Sequence, residues 1–407
     1  MSENYLFVGD SIDITPSRNI PLAGYSGRSG AYRGIDDPLE ANALVIKQGE
    51  RKIVIISADL LYIGKEIHSY LLKKLAPRVR DDELFISATH CHTAPATDDT
   101  KSSLGELDKT YVQSLEERIS RLVVDLLGRD MKPVRTVYKT GTHPSYSVNR
   151  RRKVWIKAIP PRREVLTLPN NRGLKDDKIR LLQLIDRSAN TCGIIWNYAC
   201  HPVFSPDDFS VSADYPGVVR NNVRKQLGTN VPVVFWQGFS GDVNPRVVTT
   251  GTAKSMIRPR FRASGREEWE SRTKSLADSV VQVVRNDSAE VICTSLFTEL
   301  RQIPLPTLGV SGTDRSLVLH GVNLGQVEVL GVSAEPVAEY VRLVERVFPN
   351  KKVIPVGCLG HVFGYLPSNS MVKESGYEAD GFMRFFGVSG RFRQDLQELI
   401  ESALRSM

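Results

Sequence analysis

Histidine is scarce in this 407-residue chain, with seven in all, and cysteine is scarcer, with five. The cysteines (Cys91, Cys192, Cys200, Cys293 and Cys358) are odd in number and show no Cys-x-x-Cys spacing. That excludes a disulfide framework and fits a reducing compartment. No run of about 18 apolar residues occurs, so no transmembrane helix is expected. The opening MSENYLFVGDSIDITP lacks a basic stretch followed by an apolar one. A secretory leader is therefore not expected, and a cytoplasmic location is. Repeats, low-complexity tracts and clear linkers are missing too. The formal net charge is only +8, too small an excess for this length to argue for nucleic acid. It is concentrated in NRRRKVWIKAIPPRRE (Asn149 to Glu164) and RPRFRASGR (Arg258 to Arg266). No nucleic-acid motif accompanies these runs. They read as solvated loops, or as a rim attracting an anionic substrate or a membrane surface.

Hydrophobic residues make up 41% of the chain and charged residues 25%, as in ordinary globular proteins with a sizeable core. Ala41 to Leu61 reads as two strands, ALVI and KIVIISA, around a Gln-Gly-Glu turn. A helix over Gly64 to Lys74 and the strand ELFISAT follow, which is the pattern of a βαβ crossover. IRLLQLID and CGIIWNYACH read as an antiparallel pair around Arg187-Ser-Ala-Asn, and VPVVFWQG as a buried strand. Glu270 to Asn286 has helical periodicity. GVNLGQVEVLGVSAE reads as two strands joined at Leu-Gly, and PVAEYVRLVERVF as the helix after them. Val247 to Arg266 is the expected long loop. These elements give a mixed α/β (α+β) chain, expected to be one domain over residues 1–407.

Two of the few histidines, His90 and His92, share the stretch ISATHCHTAP at the end of a strand. On an extended segment residues i and i+2 point the same way, and ligands bind at the carboxyl ends of strands in open α/β sheets. A lone His-x-His pair can equally be packing, surface or metal site. Three other segments strengthen the case. His201 follows the strand IIWNYA, Asp242 lies in the turn WQGFSGDVNPR after VPVVF, and Glu335 comes just past VLGVSA. His68, His143 and His320 lack such company and read as structural or surface residues, while His361 is read either as lining the pocket or as an ordinary loop residue. Cys91 and Cys200 read as small buried hydrophobes. Asp13 and Asp59 read as bracing the site or capping turns, and Asp214 and Asp242 as orienting ligands.

In order along the chain, VGDSIDITP, LAGYSG, IISADLL, SATHCHTAP, SVNRR, CHPV, SADYPG, QGFSGDVNP, SAEP, FGYLP and SGYEAD resemble the neutral/alkaline (non-lysosomal) ceramidases, zinc-dependent amide hydrolases of N-acyl sphingoid bases. The resemblance implies that family's catalytic-domain fold, with mixed sheets flanked by helices. It implies Zn2+ as cofactor, with His90, His201, Glu335 and Tyr365 as ligands. It places His92 beside the metal as a proton-transfer or oxyanion-stabilising group, and gives Arg150 the substrate oxygen or transition-state charge. Tyr377 and Glu378 would help close the pocket. Two histidines and a carboxylate suit a catalytic zinc, since they leave room for water and substrate.

Two motifs depart from the family pattern. Asn244 in GDVNP stands where the family has a serine, and an amide can share hydrogen bonds but cannot act as a nucleophile or proton shuttle. HCHTAPA replaces HTHSGPG, so the loop shaping access to the site is expected to differ. The chain is also expected to lack the family's leader and its C-terminal β-sandwich. The resulting expectation is a zinc-dependent amidohydrolase cleaving a small N-acyl, lipid-like substrate with metal-activated water, with His92, Arg150 and Asn244 as catalytic residues. The alternatives are ester or lactone hydrolysis or acyl transfer at the same metal site, and a non-catalytic metal-binding scaffold. Peripheral membrane contact and oligomeric state are left open.

Overall fold

A computed structural model describes residues 5–156, 159–249, 259–286, 291–312 and 316–407. Its largest element is a nine-stranded mixed sheet. From one edge the order is Val233–Gln237, Thr191–Tyr198, Lys178–Ile185, Lys132–Thr142, Tyr5–Asp13, Glu40–Gln48, Arg51–Ala58 and Leu84–Ala88, with Val291–Ile292 pairing beside Lys132–Thr142. A four-stranded sheet, Phe297–Pro304, Ser316–Asn323, Val327–Val332 and Lys352–Val356, packs against it.

The same local design occurs three times. Glu40–Gln48 and Arg51–Ala58 form an antiparallel hairpin, and helix Lys65–Leu75 then crosses to Leu84–Ala88, parallel to the second strand. Lys178–Ile185 and Thr191–Tyr198 pair antiparallel, and helix Asp214–Leu227 leads to the parallel strand Val233–Gln237. Ser316–Asn323 and Val327–Val332 repeat the scheme through helix Glu339–Val347 to Lys352–Val356. The β-branched central strands are buried along almost their whole length, as strands covered on both faces must be. Phe85, Leu182, Trp236, Val329, Ile354 and Leu359 share one apolar cluster between the sheets. Helices Lys65–Leu75 and Lys109–Leu126 cover one lobe through Ile67, Leu71, Leu115 and Ile119. Trp196, Phe235, Tyr215 and Val280 fill another cluster under Asp214–Leu227 and Arg266–Arg285.

The first crossover follows from the sequence pattern, whereas helix Asp214–Leu227 and strand Lys352–Val356, which complete the other two, are additions of the structure. The carboxyl ends of the three parallel strands meet. A backbone bridge joins Ser87 to Leu359, Gly357 N donates to the Gln237 carbonyl at 2.8 Å, and Asn197 Nδ2 donates to the Pro355 carbonyl at 2.9 Å. One expectation fails. The segment carrying His90 and His92 is not extended: the strand ends at Ala88, and His90 adopts a left-handed backbone with φ 67°. The expected long loop Val247 to Arg266 lies partly outside the described residues. Of its described part, Val248 bridges Phe261.

Candidate metal and catalytic centre

His90, His92 and His201 follow the ends of strands, Glu335 and Tyr365 lie in a short ladder, and Arg150 and Asn244 lie within paired strands. After Ala88 the chain turns sharply, and the turn is held from both sides. Thr89 N donates to Ala58 O at 2.9 Å and His92 N to Pro202 O at 3.3 Å. The left-handed turn at His90, and not strand alternation, brings the two imidazole centroids to 5.0 Å. His201 leaves Thr191–Tyr198 and is fixed by its N–H on Val243 O at 3.0 Å. Glu335 and Tyr365, 30 positions apart by their numbers, are partners in a two-residue parallel ladder. Gly241 lies against that ladder, where a Cβ would come within 2.6 Å of the Glu335 carbonyl; only glycine fits there.

All three site imidazoles use Nδ1 on a backbone carbonyl: His90 on Leu61 O at 3.1 Å, His92 on Gly24 O at 2.9 Å and His201 on Ser240 O at 2.8 Å. A carbonyl only accepts, so each Nδ1 carries the hydrogen. In the neutral ring the lone pair then sits on Nε2, the arrangement typical of metal-ligating histidine. The three rings place ligand atoms within 4.8 Å of one another. The Nε2 atoms of His90 and His201 lie 3.3 and 3.1 Å from Oε2 of Glu335. Donors bound about 2.0–2.1 Å from one zinc at tetrahedral angles stand about 3.3 Å apart. The Nε2 atom of His92 is buried and has no hydrogen-bond partner among the described residues. The donor set thus fits a divalent cation of zinc size.

Burial opposes a charge on His90, but Cys358 and Glu335 hold its pKa well above the ordinary imidazole value. A cation at this site would therefore take the place of a proton on that ring. Burial opposes ionisation of Glu335, but the imidazoles of His90 and His201 outweigh it and hold its pKa well below the usual carboxylate range. Burial and the neighbouring Arg150 push His201 down to about 4, and burial with His90 and His201 pushes His92 well below its ordinary value. Both rings are therefore neutral and able to ligate at neutral pH. Tyr365 Oη lies 3.5 Å from His201 Nε2, and burial and Glu335 hold its pKa far above the usual phenol value.

Arg150 occupies the next position outward. Its backbone N–H donates to Asp242 O at 2.8 Å. Its guanidinium donates through Nε to Glu378 Oε1 at 2.8 Å, through Nη1 to Asn244 Oδ1 at 3.1 Å and through Nη2 to Tyr365 Oη at 3.2 Å. Arg151 takes the other Glu378 oxygen at 2.6 Å. The fork is held in place without losing its charge. Because Arg150 only donates, the Asn244 carbonyl must face it, and the Asn244 NH2 is directed elsewhere. Tyr377 packs at 5.4 Å from the Tyr365 ring.

His90, His92, His201, Glu335, Tyr365, Arg150 and Asn244 therefore form one connected cluster. Other residues singled out in the sequence serve at a distance. Asp242 accepts from Ala338 N at 2.8 Å and Asn149 Nδ2 at 2.6 Å, tying the Glu335 segment to the strand of Arg150. Asp214 accepts from Phe204 N at 2.7 Å and Ser205 N at 2.9 Å, pinning the loop after His201. Asp59 pairs with Arg220 at 2.8 Å, and Asp13 caps a turn at Thr15 N. His143 bonds Ser279 Oγ at 2.9 Å and His320 bonds Asp82 O at 2.9 Å. His361 faces Asp98 at 3.5 Å and lines a cavity with His68 and His320 rather than with the site imidazoles.

Sequence reasoning passed over Tyr62. Buried at the end of the motif IISADLL, it donates to Glu335 Oε1 at 2.5 Å, so Oε2 is the oxygen presented to the histidines. The motif as read stopped at Leu61, whose carbonyl fixes His90; a phenol one residue further on was the available signal. Gly24, in LAGYSG, was also passed over. It has φ +121°, and a Cβ there would meet His92 Cβ at 2.7 Å.

A family model described as neutral/alkaline non-lysosomal ceramidase, N-terminal, matches residues 5–303. Glu335 and Tyr365 lie beyond that match. Two solved structures resemble the chain along its whole length. One is a neutral ceramidase from Pseudomonas aeruginosa, at 16% identity and TM-score 0.78, with all of this chain aligned on 74% of that one. The other is a ceramidase complexed with C2, at 16% identity and TM-score 0.77, with 75% of that chain covered. At such identity these two likenesses speak for the fold.

Proposed function

This chain belongs to the neutral/alkaline non-lysosomal ceramidase family, hydrolases of an amide bond in a ceramide-like substrate, and on that premise we propose that it is a zinc-dependent amidohydrolase cleaving an N-acyl, lipid-like amide with water. The observation that carries the reading is the convergence of the imidazoles. Three rings donate Nδ1–H to carbonyls, and the Nε2 atoms of two of them stand about one zinc-ligand separation from the same Glu335 oxygen.

His90, His201, Glu335 and Tyr365 are the residues that would hold the ion. When bound, zinc supplies a Lewis acid for the amide carbonyl and lowers the pKa of a water toward neutrality. The chain's own groups do the rest. Arg150, held by Glu378, keeps a fixed positive charge facing the Tyr365 hydroxyl, where an amide oxygen gaining negative charge would be stabilised. Asn244 accepts from Arg150 and so helps to orient that guanidinium. His92, neutral with Nε2 directed into the site, can accept a proton from water and return it to the leaving amine. Nothing in this scheme needs a hydroxyl nucleophile at position 244.

The test has three arms. Purified protein is assayed for zinc, stripped with a chelator and reloaded, and a panel of N-acyl and O-acyl fluorogenic substrates is measured at each stage. Stoichiometric zinc, loss of amide cleavage on stripping and recovery on reloading are expected, with His90→Ala failing to retain the ion. Undiminished amide cleavage by the stripped protein would refute the metal role. Cleavage confined to O-acyl substrates would move the activity to ester hydrolysis.

A further inference from the structure

Among the large apolar side chains left exposed, Trp155, Ile159 and Leu166 lie on one hairpin, made by the antiparallel strands Ser147–Ile156 and Arg162–Asn170. Trp155 is 65% exposed, whereas Trp196, Trp236 and Trp269 are 0%, 1% and 5% exposed. The hairpin divides by depth. At its base Arg150 and Arg151 are buried on Glu378 and belong to the site. Beyond Arg152 the side chains of the two strands are exposed or half-buried, save Pro169.

Cations accompany the exposed apolar residues. Asn149 to Glu164 contains seven Lys or Arg and one acid. Trp155 is paired across the ladder with Arg163, whose guanidinium lies 4.9 Å from the indole centroid. Leu166 is paired with Arg152. Glu164 reaches Arg162 at 2.6 Å and Glu374 reaches Lys153 at 2.6 Å. An amphipathic indole and aliphatic chains flanked by long cationic stems suit a lipid interface, where apolar parts enter the headgroup boundary and cations meet anionic headgroups. A protein interface also enriches Trp and Arg but depletes charge at its core; the excess of cations over acids around these apolar residues favours an anionic lipid surface.

We propose that the outer half of this hairpin docks on a membrane surface carrying anionic phospholipid. Trp155 and Ile159 enter the interface, and Arg152, Lys153, Arg162 and Arg163 contact the headgroups. The strand then holds Arg150, five residues back, about 17 Å behind Trp155, so docking sets the site close to the bilayer. Only the purpose of docking rests on the lipid-like substrate proposed above; the docking itself is measured without substrate.

The protein is mixed with phosphatidylcholine vesicles and with vesicles of phosphatidylcholine plus phosphatidylglycerol. Co-sedimentation and tryptophan emission are followed, and because the other three indoles are buried, a blue shift reports Trp155. Binding to the anionic vesicles only, a blue shift and weakening by salt are expected. Trp155→Ala should bind about tenfold more weakly and lose the shift. Arg162→Gln with Arg163→Gln should weaken binding about fivefold per cation. Each variant should cleave a water-soluble short-chain amide as the wild type does, which separates docking from catalysis. Absence of wild-type binding, unchanged binding by Trp155→Ala, or equal binding to both vesicle types would overturn the proposal. So would a wild-type dimer that Trp155→Ala dissociates, since the patch would then be covered by a second copy.

Discussion

Tyr62 and Gly24 hold two site side chains in place, Tyr62 on Glu335 and Gly24 on His92. Tyr62 fixes Oε1 of Glu335 and thereby aims Oε2. Partners of this kind set ligand orientation, and losing one typically lowers metal affinity about 10–100-fold. Tyr62→Phe should keep the fold and bind zinc more weakly by about that factor in competition with a chromophoric chelator; an unchanged affinity would mean Glu335 is held by other means. Gly24 permits both a φ of +121° and the close passage of His92. Gly24→Ala forces a strained backbone and a clash, so a loss of about 1–3 kcal/mol in denaturant unfolding is expected, with His92 displaced. Asn244→Ser tests the departure from the family pattern at this same scale. With the water-based chemistry proposed here, amide cleavage should change little. A gain of several orders of magnitude would show that the hydroxyl matters more than Arg150 and the imidazoles together.

At the scale of the element, the strands were legible because their composition leaves little choice. KIVIISA and VPVVF are too β-branched and too continuously apolar to be anything but covered strands. The first hairpin-and-crossover unit followed from spacing, and the apolar strands before them placed His201, Asp242 and Glu335 at strand ends; helix Asp214–Leu227 and strand Lys352–Val356, which complete the other two units, went unread. What remained hidden was conformation that composition does not encode. His90 in a left-handed turn is a non-glycine exception to the usual preference. The Glu335–Tyr365 ladder is a tertiary pairing of two-residue strands with no periodicity to betray it. Asp214 is a third case. It opens helix Asp214–Leu227 while its carboxylate receives Phe204 and Ser205 N–H groups. Burial, only partly offset by those N–H bonds, raises its pKa to about 6, above the ordinary aspartate value of about 3.9. A carboxyl raised in the folded chain favours folding while protonated. Its contribution is full below about pH 4 and is lost as pH rises through about 6. The unfolding free energy of wild type relative to Asp214→Asn should therefore fall by roughly 3 kcal/mol across that window. A constant difference from acid to neutral pH would count against the assignment.

Over the whole molecule, the candidate ligands join segments that are remote in sequence, so binding of the proposed ion would be coupled to folding. An ion bound only by the folded state stabilises it by about 2.7 kcal/mol at a hundredfold excess over Kd. Zinc added to stripped protein should raise the thermal midpoint measured by calorimetry, and the rise should vanish in His201→Ala. We expect a single heat-absorption peak, because the nine-stranded and four-stranded sheets share the cluster of Phe85, Trp236 and Val329. Two resolved peaks would divide the chain into independent units.

The ladder that seats Glu335 beside Tyr365 has a temporal consequence. A ribosome would have released all three imidazoles well before it finished the carboxylate and the phenol, so the growing polypeptide passes through a long interval in which the centre is half built. Chemistry must then begin late in synthesis, and a protease nick in the stretch just before Glu335 that let the tail drift off would silence the enzyme while sparing most of its bulk.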